Sequence, residues 1–503
     1  MRRSRAAVLL LACACAHGRN PSASDSGFLE LESAHYVLLT ELPEPDARKT
    51  LARMENVRGA LTAGSWRGES LPAEKLRILQ FASSGRLHQF ASPGMSALYQ
   101  PVDLFGEPML VMTADREGAG DAILQHELAH AVHGSFLPRN PRWFFEGLAC
   151  YLETLRSDAA GDRYLLGEPN LDRLHFLRLH HETIDYRRVL STTTREAVLM
   201  SGQDGYAFQS ASWLLVFFLA NERPAELDDY VRRRGRGEPG QTAFAAAFAG
   251  LDAEALAQQA EPYRQMLQES VDGARPPSYR VWEVRPPPWT GEVKLSRTPA
   301  AEMEALRAEL YFLSPGIPRD RAQLPEARAA LDRALRLDPL NPLALAVQAA
   351  LAENASGQPS LDRLRQSARE RPRDFRAQIL LAIAVGPDHP DERREALVRA
   401  ATLAPSNATV LNALAWHDLT HGRASEAVEV ARKAAGLAPG RAAVLDTLAA
   451  ALALSGNCAE ATRAEEQAVE LAAEHASLEL RRRLLARLDA MRAGCTKIPL
   501  DEE

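Results

Sequence analysis

The sequence predicts a chain of two parts: an α+β domain with a small sheet and a mostly helical portion, followed by an all-α solenoid of repeated helix pairs. Three observations support this division. The chain has 503 residues, more than one hydrophobic core usually holds. Strand-like segments are confined to the beginning of the chain, whereas a repeat of 34 residues occupies its end. Between them, residues 271–300 contain six prolines, which is typical of a linker.

The first part is predicted to span residues 28–270. Its strands are three short apolar runs, at His35–Thr40, Leu76–Phe81 and Pro108–Thr113. Between the first two runs, Asp46–Leu61 has apolar residues near helical spacing and is predicted as a helix. The rest of this part is mostly helical in pattern. We therefore expect a small sheet that precedes a larger helical portion.

The second part, residues 301–496, carries an internal repeat. Pro405 and Pro439 are separated by 34 residues, and the same offset relates Ala427 to Ala461 and Ala434 to Ala468. Small residues at fixed positions and a proline after the second helix are the signature of tetratricopeptide (TPR) repeats. About four repeats are predicted, the earlier ones degenerate. Stacked repeats form a concave groove, so a protein partner is expected there.

Composition limits the classes of partner. The chain is 46% hydrophobic and 25% charged, with a formal net charge of −7. These values are ordinary for a globular protein and give no support for a nucleic-acid surface. No apolar run reaches the roughly 18 residues of a membrane-spanning helix. We therefore predict no nucleic-acid partner.

The N-terminus, residues 1–13, has the pattern of an export signal. Three arginines precede the apolar run Ala6–Ala12, which ends at Cys13. The sequence Leu-Leu-Ala-Cys resembles a bacterial lipobox, which implies a lipid on Cys13 as the only link to a membrane, with residues 14–27 as a tether. The expected location is the bacterial cell envelope, lipid-anchored or secreted. An ordinary signal peptide and a cytosolic chain with an apolar start are the alternatives.

Five cysteines are too few for a disulfide framework. Cys458 is predicted to open the second helix of the last repeat, and Cys495 to end the helix that follows. Antiparallel neighbours would bring these two ends together, so a disulfide is one interpretation and two free thiols are the other. Cys150 is expected to be a small buried residue.

The strongest chemical signal is the sequence His126-Glu127-Leu128-Ala129-His130. On a helix, the two histidines lie one turn apart on one face and can bind one metal ion. Glu127 is next to them and could take a proton from a metal-bound water. The segment contains no proline, and its apolar neighbours give the helix a face to bury.

A zinc ion (Zn2+) needs a third protein ligand. His133 lies about 10 Å along the helix from His126, too far to share one ion easily. Metzincins would require Gly at position 133 and His at position 136, and this chain has His133 and Phe136. Glu146, on a second helix after a proline-rich turn, is therefore the predicted third ligand.

The motif followed by Trp-Phe-Phe-Glu146-Gly-Leu-Ala resembles the gluzincin peptidases, in particular the peptidase MA-like and M1-like groups, over roughly residues 28–270. The resemblance implies a zincin-like fold, with zinc bound by His126, His130 and Glu146 and with Glu127 as general base. It also implies an oxyanion-stabilising tyrosine, for which Tyr206 is the candidate. No segment corresponds to the one with which the aminopeptidases hold a substrate amine.

Three functions follow as hypotheses. The first is an exported zinc metallopeptidase, a hydrolase that acts on a peptide or protein substrate while the TPR domain docks a protein. The second is a non-enzymatic envelope assembly factor, in which the repeats bind the partner and the zinc site is structural or relict. The third, weaker one is hydrolysis of a non-peptide amide.

Overall fold

The structure is a computed structural model that describes residues 25–64, 74–90, 98–100, 102–114, 119–136, 140–158, 163–193, 196–197, 200, 202–236, 238, 240–313, 324–352, 357–475, 478–495 and 498–500. The predicted signal peptide, Cys13 and most of the predicted tether lie outside these ranges. Within them, no helix combines the length and the apolar character that crossing a membrane requires.

A mixed sheet forms the base of the first domain. Its six strands lie in the order β4-β5-β3-β2-β1-β9. The central strands β2, β3 and β5 are parallel, and β4, β1 and β9 pair antiparallel at the two sides. The strand bounds are Asp25–Glu32 (β1), Tyr36–Thr40 (β2), Leu76–Phe81 (β3), Leu98–Gln100 (β4), Met109–Thr113 (β5) and Lys294–Pro299 (β9).

The central strands are continuous apolar runs because both faces of the sheet are covered. Every residue of β5 is buried, and most residues of β2 and β3 are. Parallel strands with helices on both faces have this composition. The three strands predicted from the sequence are all present, and the first and third each begin one residue later than predicted.

The proline-rich segment 271–300 is folded, which corrects its predicted role as a linker. Its last residues form β9, which pairs with β1 along the edge of the main sheet. Earlier in the segment, Trp282–Val284 (β8) completes a small antiparallel sheet with Tyr164–Leu166 (β7) and Arg156–Ser157 (β6). An edge strand tolerates proline because one side of its backbone needs no ladder partner. Strand β1 likewise begins inside the predicted tether.

The helices of the first domain cover one face of the sheet and build the larger helical portion, whereas the other face packs mainly against the array. Among them, α4 packs along α7. The bounds are Glu44–Gly64 (α1), Ser84–Phe90 (α2), Ala119–Phe136 (α3), Arg142–Leu152 (α4), Leu171–His180 (α5), Tyr186–Ser191 (α6), Gly202–Glu222 (α7), Pro224–Gly235 (α8), Gly240–Ala247 (α9) and Ala253–Val271 (α10).

The second part is a succession of helix pairs, which confirms the predicted repeat. The described part of this region contains five pairs and a final helix, one pair more than predicted. The bounds are Ala300–Leu313 (α11), Leu324–Leu337 (α12), Pro342–Leu351 (α13), Leu361–Glu370 (α14), Phe375–Val385 (α15), Pro390–Leu403 (α16), Ala408–Thr420 (α17), Ala424–Leu437 (α18), Ala442–Leu454 (α19), Cys458–His475 (α20) and Leu478–Ala493 (α21).

Small residues and one covalent link hold this array together. The alanines at the matched repeat positions are fully buried, so the backbones of paired helices approach closely. A disulfide joins Cys458 at the start of α20 to Cys495 after α21, with 5.6 Å between the two Cα atoms. Of the two interpretations of these cysteines, the structure contains the disulfide.

The array packs against one face of the main sheet, where Phe81 and Met109 share a hydrophobic core with Leu306. It also contacts the loop that precedes β5. Asn407 donates a hydrogen bond to the carbonyl oxygen of Phe105 at 3.1 Å, and the backbone amide of Leu104 donates to Glu309 at 3.0 Å. Arg441, beside α19, pairs with Glu74 at 2.6 Å. The loop therefore contacts several helices of the array at once.

Candidate metal centre

Two helices bring the predicted ligands together. Helix α3 carries His126 and His130, whose Nε2 atoms are 3.0 Å apart. Helix α4 runs beside it and places Glu146 so that its carboxylate oxygens lie 3.5 Å from Nε2 of His126 and 3.6 Å from Nε2 of His130. All three residues are buried. The ligand set predicted from the sequence is thus one cluster in space.

The spacing of the three donor atoms fits zinc. A tetrahedral ion with bonds of about 2.0–2.1 Å holds its ligand atoms about 3.3–3.4 Å apart. The two imidazole nitrogens are 3.0 Å apart, and each lies 3.5 or 3.6 Å from a different oxygen of the Glu146 carboxylate, so the observed separations bracket that value. Two imidazole nitrogens and one carboxylate are also donors that zinc accepts. Three protein ligands would leave one position for water or another ligand.

The carboxylate of Glu146 is held in place from two sides. Arg142, one turn earlier on α4, pairs with one oxygen at 2.5 Å, and Gln209 on α7 donates to the other at 3.1 Å. Burial alone would raise the pKa of Glu146, but His130, His126 and Arg142 together hold that pKa well below its usual value. Glu146 is therefore ionised, as a metal ligand must be.

The ring of His126 is oriented by a carboxylate on its other side. Nδ1 of His126 lies 2.8 Å from Glu153, which leaves Nε2 facing the cluster. Arg173 donates two hydrogen bonds to the same carboxylate, at 2.6 and 2.9 Å. Asn170, the N-cap of α5, adds a third bond at 2.8 Å. Burial opposes ionisation of Glu153, yet its bonds to His126 and Arg173 lower its pKa.

His126 also belongs to a second group of possible ligands, with Cys150 and Glu153. The sulfur of Cys150 is 3.9 Å from Nδ1 of His126. Burial raises the pKa of Cys150 to about 11, so the thiol keeps its proton at neutral pH. Because Glu153 is already committed to Arg173, the group with His130 and Glu146 is the better metal site.

The two residues predicted to be catalytic occupy different surroundings. Glu127 is partly exposed, and burial raises its pKa while the neighbouring His126 opposes that rise. Tyr206 packs edge-on against Phe176, with the guanidinium carbon of Arg173 5.1 Å from the centre of its ring. Among the described contacts, the ring of Tyr206 meets Arg173, which bonds Glu153, and none of His126, His130 and Glu146.

The residues that hydrogen-bond to the candidate ligands were only partly predictable from the sequence. Glu153 is the C-cap of α4 and follows Glu146 by two helical turns. That spacing, seven residues, puts both carboxylates on one helix face and was the available signal. Arg173 and Gln209 carried no such signal, because each arrives from a helix distant in sequence.

The comparisons with known proteins give no family. No family model matches the sequence, and no curated protein matches it. The matching solved structures include a human IFIT1 dimer with PPP-AAAA, at a TM-score of 0.28 and 18% identity, covering 64% of this chain and 73% of that one. A human IFIT1 dimer with m7Gppp-AAAA matches at a TM-score of 0.30 and 15% identity, covering 64% and 69%. Similarity this low does not extend to what those proteins bind.

These comparisons correct the resemblance stated from the sequence. No peptidase family model and no curated peptidase matches the chain. The identification as a gluzincin, and with it the enzyme class of zinc metallopeptidase, hydrolase or protease, is therefore withdrawn. Glu127 as general base and Tyr206 as oxyanion group lose the reaction that defined them. The physical reason is that the same donors serve structural and catalytic metals, so a ligand motif does not specify turnover.

Proposed function

We propose that this chain is a zinc-binding scaffold of a bacterial cell envelope that binds a protein partner and catalyses no reaction. The observation that carries the proposal is the array α11–α21, which in the described residues comprises five helix pairs and a closing helix packed on the first domain. Stacked helix pairs offer an extended surface on which a partner can bind along several repeats. The fold is consistent with this role. The binding of a protein partner and of a zinc ion is what we propose beyond the fold.

In this proposal the zinc ion is structural. His126 and His130 on α3 and Glu146 on α4 would bind it. The ion would thereby link the two helices, which without it place two imidazoles and a carboxylate together in a buried space. Binding free energy at such a site is folding free energy. The hydrogen-bonded Glu153 would fix the His126 ring for the ion.

A location in the envelope is supported by two features. The predicted lipid acceptor Cys13 would anchor the chain, and the Cys458–Cys495 disulfide is of a kind that persists in oxidising compartments. We test the anchor by metabolic labelling with palmitate. Cys13→Ser should abolish the label, and Cys15→Ser, two residues away, should retain it. Equal labelling of both variants would contradict the anchor.

The metal and the absence of catalysis are tested on the full chain. Purified protein should contain about one zinc per chain, and His126→Ala together with His130→Ala should remove it. A chelator should lower the midpoint temperature of unfolding of the wild type and leave that of the double variant unchanged.

The same samples are incubated with a peptide library. The proposal expects zinc to be bound and no peptide to be cleaved. Glu127→Gln is the matched variant, because it keeps all three ligands and removes only the neighbouring carboxylate. Cleavage by the wild type that this variant loses would overturn the non-catalytic proposal.

A further inference from the structure

A cleft of about 1600 Å³ lies between the metal-bearing domain and the end of the helical array. One wall comes from the start of α4 and from the region of α8 and α9, and includes Arg142 and Phe244. The opposite wall comes from α20 and α21 and includes Val469 and Leu488. This space is larger than the roughly 300–1,000 Å³ of a small-molecule pocket. Its size suits a polypeptide segment.

The two walls are fastened to each other beside the cleft. Glu470 on α20 accepts a hydrogen bond from the backbone amide of Gly240 at 3.0 Å. It also lies 3.5 Å from the guanidinium of Arg234, a side chain that is fully buried on α8. A buried arginine paired across the boundary fixes how the two parts meet. These contacts therefore fix the positions of the two walls of the cleft relative to each other.

The acidic side chains that line the cleft are already engaged. Each accepts a hydrogen bond from a nearby group, which reduces its electrostatic effect on a ligand: Glu238 from Arg233 at 3.1 Å, Glu466 from Arg492 at 2.7 Å, Asp252 from the Ala255 amide at 2.8 Å, and Glu470 from the Gly240 amide at 3.0 Å.

Two basic side chains in the same lining are different. Within the described residues, Arg236 and Arg463 form no ion pair, and both are exposed. Arg236 belongs to the wall from the metal-bearing domain, and Arg463 to the wall from α20. An unpaired guanidinium on each wall makes the cleft attractive to carboxylates, which arginine binds with two parallel hydrogen bonds.

Between these arginines the lining is largely apolar. The rings of Phe244 and Phe248 lie on one side with their centres 4.7 Å apart, and Val469 and Leu488 lie on the other. Apolar surface beside a few placed polar groups is the usual composition of a binding cleft. An occupant must therefore combine carboxylates with apolar side chains.

From this arrangement we propose that the cleft binds an acidic, apolar peptide segment of the protein partner. The inference rests on the proposed function in one respect, namely that the chain binds a protein. Thr192, Thr242 and Gln467 in the lining supply hydrogen-bonding groups that a peptide backbone can use and a fatty-acid chain cannot. A polynucleotide would need more unpaired positive charge than two arginines provide.

The test measures binding of a fluorescein-labelled peptide of alternating leucine and glutamate to the zinc-loaded full chain by fluorescence anisotropy. A peptide with lysine in place of glutamate is the matched probe. The wild type should bind the acidic peptide, more weakly at high salt, and should bind the basic peptide at least about tenfold more weakly.

The decisive variant is Arg236→Glu with Arg463→Glu, which reverses the unpaired charge on both walls. It should weaken binding of the acidic peptide at least about tenfold. Arg48→Glu with Arg399→Glu makes the same change of charge at two exposed residues that do not line the cleft. This control should bind the peptide as the wild type does.

Three results would overturn the inference. They are failure of the wild type to bind the acidic peptide, equal affinity for both peptides, and equal loss of binding in the control variant. Palmitate and a single-stranded RNA oligonucleotide are tested as competitors, and displacement of the peptide by either at lower concentration would also overturn it. Zinc is measured in every sample, so a missing metal is distinguished from a failed cleft.

Discussion

At the scale of single residues, the best-defined chemistry lies between α3 and α4. His126, His130 and Glu146 offer three donor atoms in one buried space. Arg142 stands close enough to neutralise Glu146 when no cation does so, with 2.5 Å between the charged groups. A bound zinc ion would share that carboxylate with the arginine. Arg142 thus compensates the buried charge of Glu146 in the absence of a metal ion and leaves the carboxylate in place to bind one.

The first prediction concerns Glu153. Glu153→Gln removes the charge that orients the His126 ring through Nδ1, so the affinity for zinc should fall by about 10–100-fold. The measurement is competition with a coloured chelator. Glu182→Gln, at an exposed position in the same domain, is the control and should bind zinc as the wild type does. Unchanged affinity in Glu153→Gln would show that the hydrogen bond does not support the metal.

At the scale of secondary-structure elements, α4 depends on close packing against α7. A Cβ atom at Gly147 would lie 2.3 Å from the carbonyl oxygen of Ser212 and 2.7 Å from Cγ2 of Val216. The backbone carbonyl cannot move away cheaply, because it belongs to a buried helix. Gly147 follows the ligand Glu146 directly, so this packing also positions the metal site.

The second prediction follows from that contact. Gly147→Ala should lower the stability of the first domain by about 1–3 kcal/mol, because α4 must shift away from α7. Thermal unfolding with and without zinc measures the loss. Gly436→Ala is the matched control, since a Cβ there meets nothing within 4 Å and alanine favours a helix. Equal behaviour of the two variants would contradict the packing argument.

A third prediction concerns pH and helix α17. The ring of His417 is buried with 1% of its surface exposed, and it stacks on His421 at 4.1 Å. Burial first, and then His421 and two arginines, lower the pKa of His417 to about 4 from 6.5. Between those two pH values the unfolded chain binds a proton that the folded chain does not.

The array should therefore lose stability as the pH falls from 6.5 towards 4. The measurement is the midpoint temperature of unfolding at several pH values. His417→Gln cannot take up the proton, so its midpoint should depend less on pH in this window. The exposed His181, changed to glutamine, should leave the wild-type dependence intact. A wild-type midpoint that rises towards pH 4 would contradict the sign of the argument.

At the scale of the whole molecule, the array and the first domain share one hydrophobic core, and polar contacts lie beside it. Arg441 bonds both to Glu74 at 2.6 Å and to the carbonyl oxygen of Gly106 at 2.8 Å. Gly106 has φ +80°, and a Cβ there would clash with Thr409 on α17. The loop thus meets the array at a distance that only glycine permits.

The fourth prediction tests this interface. Arg441→Met leaves Glu74 buried without its cation, which should weaken the docking by about 3 kcal/mol. Because the shared hydrophobic core remains, calorimetry should show unfolding at a lower temperature than in the wild type. Arg432→Met removes an exposed ion pair with Glu460 inside the array and is the control. A single transition at the wild-type temperature in Arg441→Met would contradict the coupling.

The sequence alone determined the features that repeat locally. The central strands, the motif helix and the helix pairs were predictable because apolar periodicity and proline spacing act within a few turns of chain. His126, His130 and Glu146 were predictable for the same reason, since helical spacing and one short turn bring them together. The function inferred from them was not, because donor atoms do not specify a reaction.

Only the tertiary structure decided what distant segments do together. It made the proline-rich segment part of two sheets, brought Arg173 to Glu153 and Gln209 to Glu146, and placed Arg236 and Arg463 on opposite walls of one cleft. Such contacts join residues tens to hundreds of positions apart. They depend on how whole helices and strands pack, and no local period in the sequence records that packing.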